Sequence, residues 1–454
     1  MLNSIMGDRV SGADGASRVT STTKTPERQR RALGLALAFV AVGYLLLVSV
    51  FTMRTGAWEN NDEADHVLYV EHVIKYGTPP SIAIGNGGEA HQAPLYYYLV
   101  AAWQKVSGIP AFNPQLVPNG DPAVPVEKKV LILSHDYSGS QLQEAEWLHT
   151  LRIVSVACGL LTVAATFATG WLLTGTVAFS TATAAAVATW PKFLVMSAAV
   201  TNSALVDALC AVAIPCWLLW FRSRSPRWAS ATGICLGLAV LTQVTALPIA
   251  GLMLLAMAIV ALRRWDWRSP LAAGLCWLAA CGWWFVHNDI VYGDSMATQA
   301  TYVYLTRIFG PILIRNPPVL SGDVLRHSLP ILAHSTWFDA GWNQLQLPQL
   351  LDIGIWILAA FALGAALWSR FPGRLVIVLS AMGAAVAWLL IIRQTTQAEG
   401  RYLLVAVTAW ATLLVEGSAR LVRWRSVGIW LWPVVFLVVD AYLIGNWLIP
   451  DGTL

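Results

Sequence analysis

Eleven apolar runs dominate the chain and leave it few places to fold. They fall near 32–53, 150–174, 176–195, 203–221, 229–243, 245–262, 270–287, 351–369, 375–392, 402–419 and 427–448. About 20 apolar residues in a helix match the hydrocarbon thickness of a bilayer. Hydrophobic residues make up 57% of the 454, and charged residues only 12%. That balance cannot cover a water-soluble surface, so the chain reads as an all-α polytopic membrane protein of about 11 transmembrane helices. The fifth and sixth runs are one apolar stretch interrupted by "LTQVTALP", and Pro248 supports a break there. The first run is too long for a signal-peptide core and reads as an uncleaved first span. Residues 1–27 are polar and rich in Ser, Thr and Gly and read as a disordered tail. Residues 28–450 read as a single transmembrane domain.

The arginines orient this array. Basic clusters stand at Arg28/Arg30/Arg31, Arg222/Arg224/Arg227, Arg263/Arg264/Arg268, Arg370/Arg374 and Arg420/Arg423/Arg425. Positive loops stay cytoplasmic. With eleven spans and a cytoplasmic N-terminus, every cluster lies inside, as expected for a multi-pass protein of the cytoplasmic (inner) membrane. All eight histidines then fall outside or at the outer edge, and the chemistry should face outward. Two outer segments, 54–149 and 288–350, are too long to be mere connectors. "APLYYYLVAAWQKV", from Ala93, is too short to span and should form an interfacial or re-entrant helix in the first of them. The six cysteines all lie in apolar runs and read as small buried hydrophobes with no disulfide. No basic stripe with interleaved aromatics points to nucleic acid.

"NNDEADHVLYVEHVIKYG", from Asn60 to Gly77, places four carboxylates and two histidines just beyond the first span. Val67, Leu68, Val70, Val73 and Ile74 recur at helical spacing. Asn60, Asn61 and Asp62 are N-cap candidates, and Gly77, Pro79 and Pro80 stop the helix. Asp62 and Glu63 then sit at the positive end of an amphipathic interfacial helix. His66 shares their face, at i,i+4 from Asp62 and i,i+3 from Glu63. Three readings compete. The acids cap and solubilise the helix, or with His66 and His91 they ligate a divalent metal such as Mg or Mn, or a partly desolvated carboxylate serves as a general base.

The following "EAHQAPLYYYL" brings a resemblance into view. An Asp-Glu pair after the first span, then His-x-x-Pro-Leu leading into a short apolar helix, resembles the GT-C membrane glycosyltransferases. The similarity is to bacterial relatives of protein O-mannosyltransferases and of the lipid A aminoarabinose transferase. "VTNSALVDA" (from Val200), "LTQVTAL" (from Leu241), "WWFVHNDIVYGD" (from Trp283), "STWFDAGW" (from Ser335) and "EGRYLL" (from Glu399) are similar, in this order, to further motifs of the group. The chain departs from the pattern at Ser203, where Asp is usual, and at Gln243, where Lys is usual. "STWFDAGW" has Asp339 and Ala340 where small or aromatic residues are usual.

The resemblance implies a GT-C-like fold and transfer of a sugar from a polyprenyl-phosphate donor to a glycan, lipid or protein acceptor of the envelope, with inversion. It implies Asp62 as base with Glu63 as neighbour or alternate. Metal assistance through Asp62, Glu63 and His66 stays open. Arg401 is placed to hold the phosphate bidentately, or else snorkels to lipid headgroups. Arg393 is a second phosphate candidate. His91, Gln92, Asn202, Asp207, Asn288 and Tyr402 join His66 among the substrate-binding candidates. Asp207, about one turn inside a span, is expected to face a cavity or to pair with Lys192. A lipid-sugar flippase and a non-catalytic envelope scaffold are the competing classes. The crowding of polar residues at one face, without a clear internal repeat, favours the enzyme.

Overall fold

The computed structural model describes residues 26–60, 62–83, 87–114, 140–315, 318–341, 345–368 and 373–448. The expected tail 1–27 lies outside them except for its last two residues, as does most of the segment 108–148. The chain is helical almost throughout. In order come α1 (Pro26–Arg54), α2 (Glu63–Tyr76), α3 (Leu95–Val106), α4 (Ser140–Thr174), α5 (Val177–Ala188), α6 (Pro191–Ser197), α7 (Asn202–Ser223) and α8 (Pro226–Val240). Then follow α9 (Leu247–Leu262), α10 (Arg268–Tyr292), α11 (Thr298–Leu313), α12 (Gly322–Trp337), α13 (Gln349–Leu367), α14 (Arg374–Gln394), α15 (Val407–Leu421), α16 (Arg425–Gly428) and α17 (Leu431–Leu443). A two-stranded ribbon, Asp339–Ala340 with Leu345–Gln346, is the only sheet among the described residues.

Nine helices among the described residues are long and apolar enough to cross a membrane, as befits a multi-pass membrane protein. Two of the eleven expected runs form shorter helices. The run 176–195 breaks after α5, because Pro191 has no amide hydrogen to continue a helix and instead opens α6 at its first turn. The run 229–243 becomes α8, of 15 residues. The break at "LTQVTALP" is real: a 3₁₀ turn, Val244–Ala246, precedes α9, and Pro248 sits in its first turn.

Apolar side chains on the bundle's flanks, such as Leu35, Phe39 and Leu46 on α1, stay exposed, as a helix facing lipid requires. Inside the bundle, contact relies on small residues. A Cβ at Gly233 of α8 would collide with the Ala273 carbonyl of α10, and one at Gly417 of α15 with the Ala362 carbonyl of α13. Such close approach of backbones is how helices gain packing energy where lipid is as apolar as leucine. α15 is the most enclosed span, placed between a core of α1, α5, α13 and α17 and a second core of α7 to α10 and α14.

The acidic helix forms where the sequence puts it. Gly77, in left-handed conformation at φ 72°, ends α2 by returning its N–H to the Val73 carbonyl. α2 and α3 pack on each other and on α4 and α7 around Val67, Tyr69, Val70, Tyr96, Tyr97 and Val100. One fully buried ion pair pins the assembly. Arg152 of α4 holds both oxygens of Glu63, with Nε at 2.9 Å and Nη2 at 2.7 Å. Its other hydrogens go to the carbonyls of Thr52, Thr55 and Gly56, and Glu63 also accepts the Val200 amide at 2.9 Å. One guanidinium thus joins the end of α1, the start of α2, the body of α4 and the turn before α7.

Candidate active site

Where α2, α7, α8, α10, α11 and α14 and the loop before α3 converge, they surround a cavity of about 490 Å³. Nine of the sequence-predicted site residues line it: Asp62, His66, His91, Gln92, Asn202, Asn288, Arg393, Arg401 and Tyr402. Residues far apart in the chain therefore meet on one surface. Glu63 and Asp207 do not reach it.

Asp62 precedes α2 in a left-handed conformation, φ 63° and ψ 4°, and its side chain makes no capping hydrogen bond. A non-glycine residue in this region is uncommon, and such conformations concentrate at functional sites. The carboxylate turns instead to Arg401, whose Nη2 donates to Oδ2 at 2.8 Å. Arg401 sits on the 3₁₀ turn Gly400–Ala406 that leads into α15. The preceding amide, Gly400 N, donates to Ser335 Oγ at 2.7 Å, and a Cβ on Gly400 would strike the Thr336 backbone. The turn is thereby fixed against α12. Arg401 Nε lies 2.9 Å from Glu399 Oε2, and its guanidinium carbon lies 5.2 Å from the centre of the Tyr402 ring.

A second polar chain crosses the opposite wall. His91 Nδ1 is 3.1 Å from the Gly88 carbonyl, which can only accept, so Nδ1 carries the hydrogen. His91 Nε2 is then free to accept from Gln92 Nε2 at 3.1 Å. Gln92 Oε1 accepts from Asn202 Nδ2 at 3.1 Å. Three predicted residues act as one oriented row. Burial lowers the pKa of His91, and that of His66 falls to about 3 through burial first, then Arg401 and His91. His66 stays neutral, stacked on Tyr97 with Nδ1 2.9 Å from the Tyr97 hydroxyl. Asn288 donates to the Ser295 carbonyl at 3.2 Å, while its buried Oδ1 has no partner among the described residues. Arg393, exposed at the end of α14, forms no ion pair among the described residues.

Two expectations change. Lys192 pairs with Asp339 of the ribbon instead of with Asp207. Asp207 is buried on α7 with one oxygen unpartnered among the described residues. The metal trio Asp62, Glu63 and His66 does not converge. Glu63 is turned into the Arg152 pair, His66 toward Tyr97 and Asp62 toward Arg401, and no group of three or more potential ligands gathers among the described residues.

Glu89 lines the cavity and was not among the residues singled out. Its loop is fixed by Asp65, which accepts the Gly88 amide at 2.9 Å, and by Tyr304, whose hydroxyl donates to the Gly87 carbonyl. Burial, then the charges of Asp62 and Asp65, push its carboxyl up to about 8. The signal was there: a lone carboxylate two residues before His91, in a segment that otherwise reads as a turn.

No protein-family model and no curated protein sequence matches the chain. The fold does have solved counterparts. ArnT from Cupriavidus metallidurans bound to undecaprenyl phosphate superposes with a TM-score of 0.56 at 16% identity, over 90% of this chain and 64% of that one.

The chain has the GT-C fold.

The oligosaccharyltransferase of Archaeoglobus fulgidus tethered to an acceptor peptide also matches, with a TM-score of 0.46 at 13% identity, over 90% of this chain and 55% of that one. The chain spans about two-thirds or less of the length of the proteins it superposes on. At these identities the likeness concerns the fold.

Proposed function

We propose that the chain transfers a sugar from a polyprenyl-phosphate carrier to a glycan, lipid or protein of the envelope, at the outer face of the cytoplasmic membrane. The single observation that carries this reading is the cavity's mixed lining. It combines the polar Asp62, Arg401 and His91–Gln92–Asn202 row with the apolar Val244, Leu247, Pro248, Leu390 and Ile391. Val244 and Leu390 are also half-exposed on the bundle surface. A donor whose lipid stays in the bilayer while its phosphate and sugar enter a polar chamber suits such a lining. The ArnT structure holds a molecule of that class, undecaprenyl phosphate.

In this reading the acceptor hydroxyl oxygen attacks the anomeric carbon, and its proton passes to Asp62. The bond from that carbon to the phosphate oxygen breaks, and the phosphate leaves with the electron pair. Arg401 neutralises it through paired N–H groups, with Arg393 as a second cation. A single displacement inverts the anomeric centre. Asn202 and Asn288 hold the sugar, the latter through its unpartnered Oδ1. Glu63 is the anchor of Asp62, not its substitute, because both of its oxygens are spent on Arg152. The residues require no step through a metal.

The test is reconstitution of the full chain in liposomes with polyprenyl-phosphate-linked sugars and a membrane-envelope extract, read by mass spectrometry of the glycosylated products. Transfer in the wild type and its loss in Asp62→Asn is the expected result. Movement of the intact lipid-linked sugar across the bilayer without bond cleavage would replace the enzyme by a flippase.

A further inference from the structure

Arg401 is held by two carboxylates that differ in freedom. Asp62 Oδ2, at 2.8 Å, reaches it from the cavity side. Glu399 Oε2, at 2.9 Å from Nε, reaches it from behind. Glu399 is buried at 3% exposure and takes no part in the cavity wall. It precedes Gly400, whose amide is fixed on Ser335 and whose Cα has no room to move past Thr336. Lys192, itself paired with Asp339, lies within electrostatic reach of Glu399 and Arg401 and adds a cation behind the wall. Asp62, by contrast, stands at a helix entry with its side chain 13% exposed and no capping bond to hold it.

The closed pair commits one oxygen of Asp62, Oδ2, and one nitrogen of Arg401, Nη2. A base needs a free oxygen toward the acceptor, and a phosphate clamp needs free N–H groups. We propose that Glu399 is the positioning residue that keeps Arg401 in place while its Nη edge passes from Asp62 to the donor phosphate. The proposal rests on the transferase reading. An anion arriving in the cavity competes with Asp62 for Nη, and the Nε contact to Glu399 keeps the guanidinium from following whichever anion is nearer. Donor arrival then frees the base. Arg401 Nε and Glu399 Oε2 are close but not aligned for a hydrogen bond, so the negative charge at position 399 is what the role needs.

The experiment uses the full chain in lipid nanodiscs, titrated with undecaprenyl phosphate and, as the uncharged control, undecaprenol. Wild type should prefer the phosphate. Glu399→Ala should weaken phosphate binding about tenfold and leave undecaprenol binding unchanged, and Glu399→Gln, which keeps the shape but not the charge, should weaken it as well. Glu399→Met replaces the Ala variant if that one does not insert. Asp62→Asn should bind the phosphate as tightly as wild type or more tightly, because a competitor for Nη is gone. Equal loss of phosphate and undecaprenol binding in Glu399→Ala would show general structural damage and overturn the positioning role. So would wild-type phosphate affinity in that variant. Weaker phosphate binding in Asp62→Asn would overturn the hand-over. If wild type does not distinguish the two lipids, the transferase reading itself falls, a result separable from failure of Glu399 alone.

Discussion

Two adjacent carboxylates, Asp62 and Glu63, each meet an arginine, and the two pairs behave as opposites. Glu63 and Arg152 are both fully buried, and the pair is saturated: two ionic contacts, three backbone carbonyls on the guanidinium, one backbone amide on the carboxylate. Asp62 and Arg401 close across a cavity, joined by one contact at 2.8 Å, with Arg401 also shared by Glu399. The first pair has no coordination left for a substrate. The second has an accessible edge and a neighbour that keeps it in register. Burial of a charge pair thus indicates structure when every hydrogen is spent, and chemistry when some face a void.

The comparison can be broken at either pair. Asp62→Asn should lower transfer by about 10²–10⁴-fold, the usual weight of a general base, with unchanged insertion and melting temperature; a rate assay beside a thermal scan reads both. Arg152→Ala should do the reverse. It leaves Glu63 buried and unpaired and should cost about 3–5 kcal/mol of stability, measured as loss of folded protein, with transfer per folded molecule retained. Arg401→Ala should fall between, raising donor KM by about 10–100-fold with little effect on acceptor KM.

The smallest effect is expected at Glu89. Its carboxyl, pushed up to about 8 by burial and by Asp62 and Asp65, is protonated at neutral pH and ionises as pH rises through that value. The added negative charge should weaken donor binding roughly three- to fivefold above about pH 8, and Glu89→Gln should flatten that limb of the profile. Stability follows the same sign. The folded state keeps a proton that the unfolded chain releases from about pH 4.5 upward, so stability declines between about 4.5 and 8.

Much of the site was legible because its parts sit at helix ends in a fixed order. Asp62, His91, Gln92, Asn202, Asn288 and Arg401 each follow or precede an apolar run, and an antiparallel bundle brings alternate ends together. What stayed hidden are partners set by three-dimensional packing. Glu63 and Arg152 are 89 residues apart and Lys192 and Asp339 are 147 apart. No periodicity links such positions. A weaker signal existed for Arg152, a single cation at the start of an apolar run, which membrane burial makes costly without a partner. For Lys192 the nearest acid in sequence is Asp207, but the ribbon brings Asp339 to it. The helix lengths of α5 and α8 were legible only in part: Pro191 marks one break, while the shortness of α8 follows from the turn at Leu241 to Gln243.

That short helix has a consequence for depth. Fifteen residues make a rod of about 22 Å, against about 30 Å of hydrocarbon in a typical bilayer. With the arginines at its start, Arg224 and Arg227, anchored at one headgroup layer, its far end stops about 8 Å short of the other. Gln243, which follows this helix and lines the cavity, would then stand below the opposite headgroup plane.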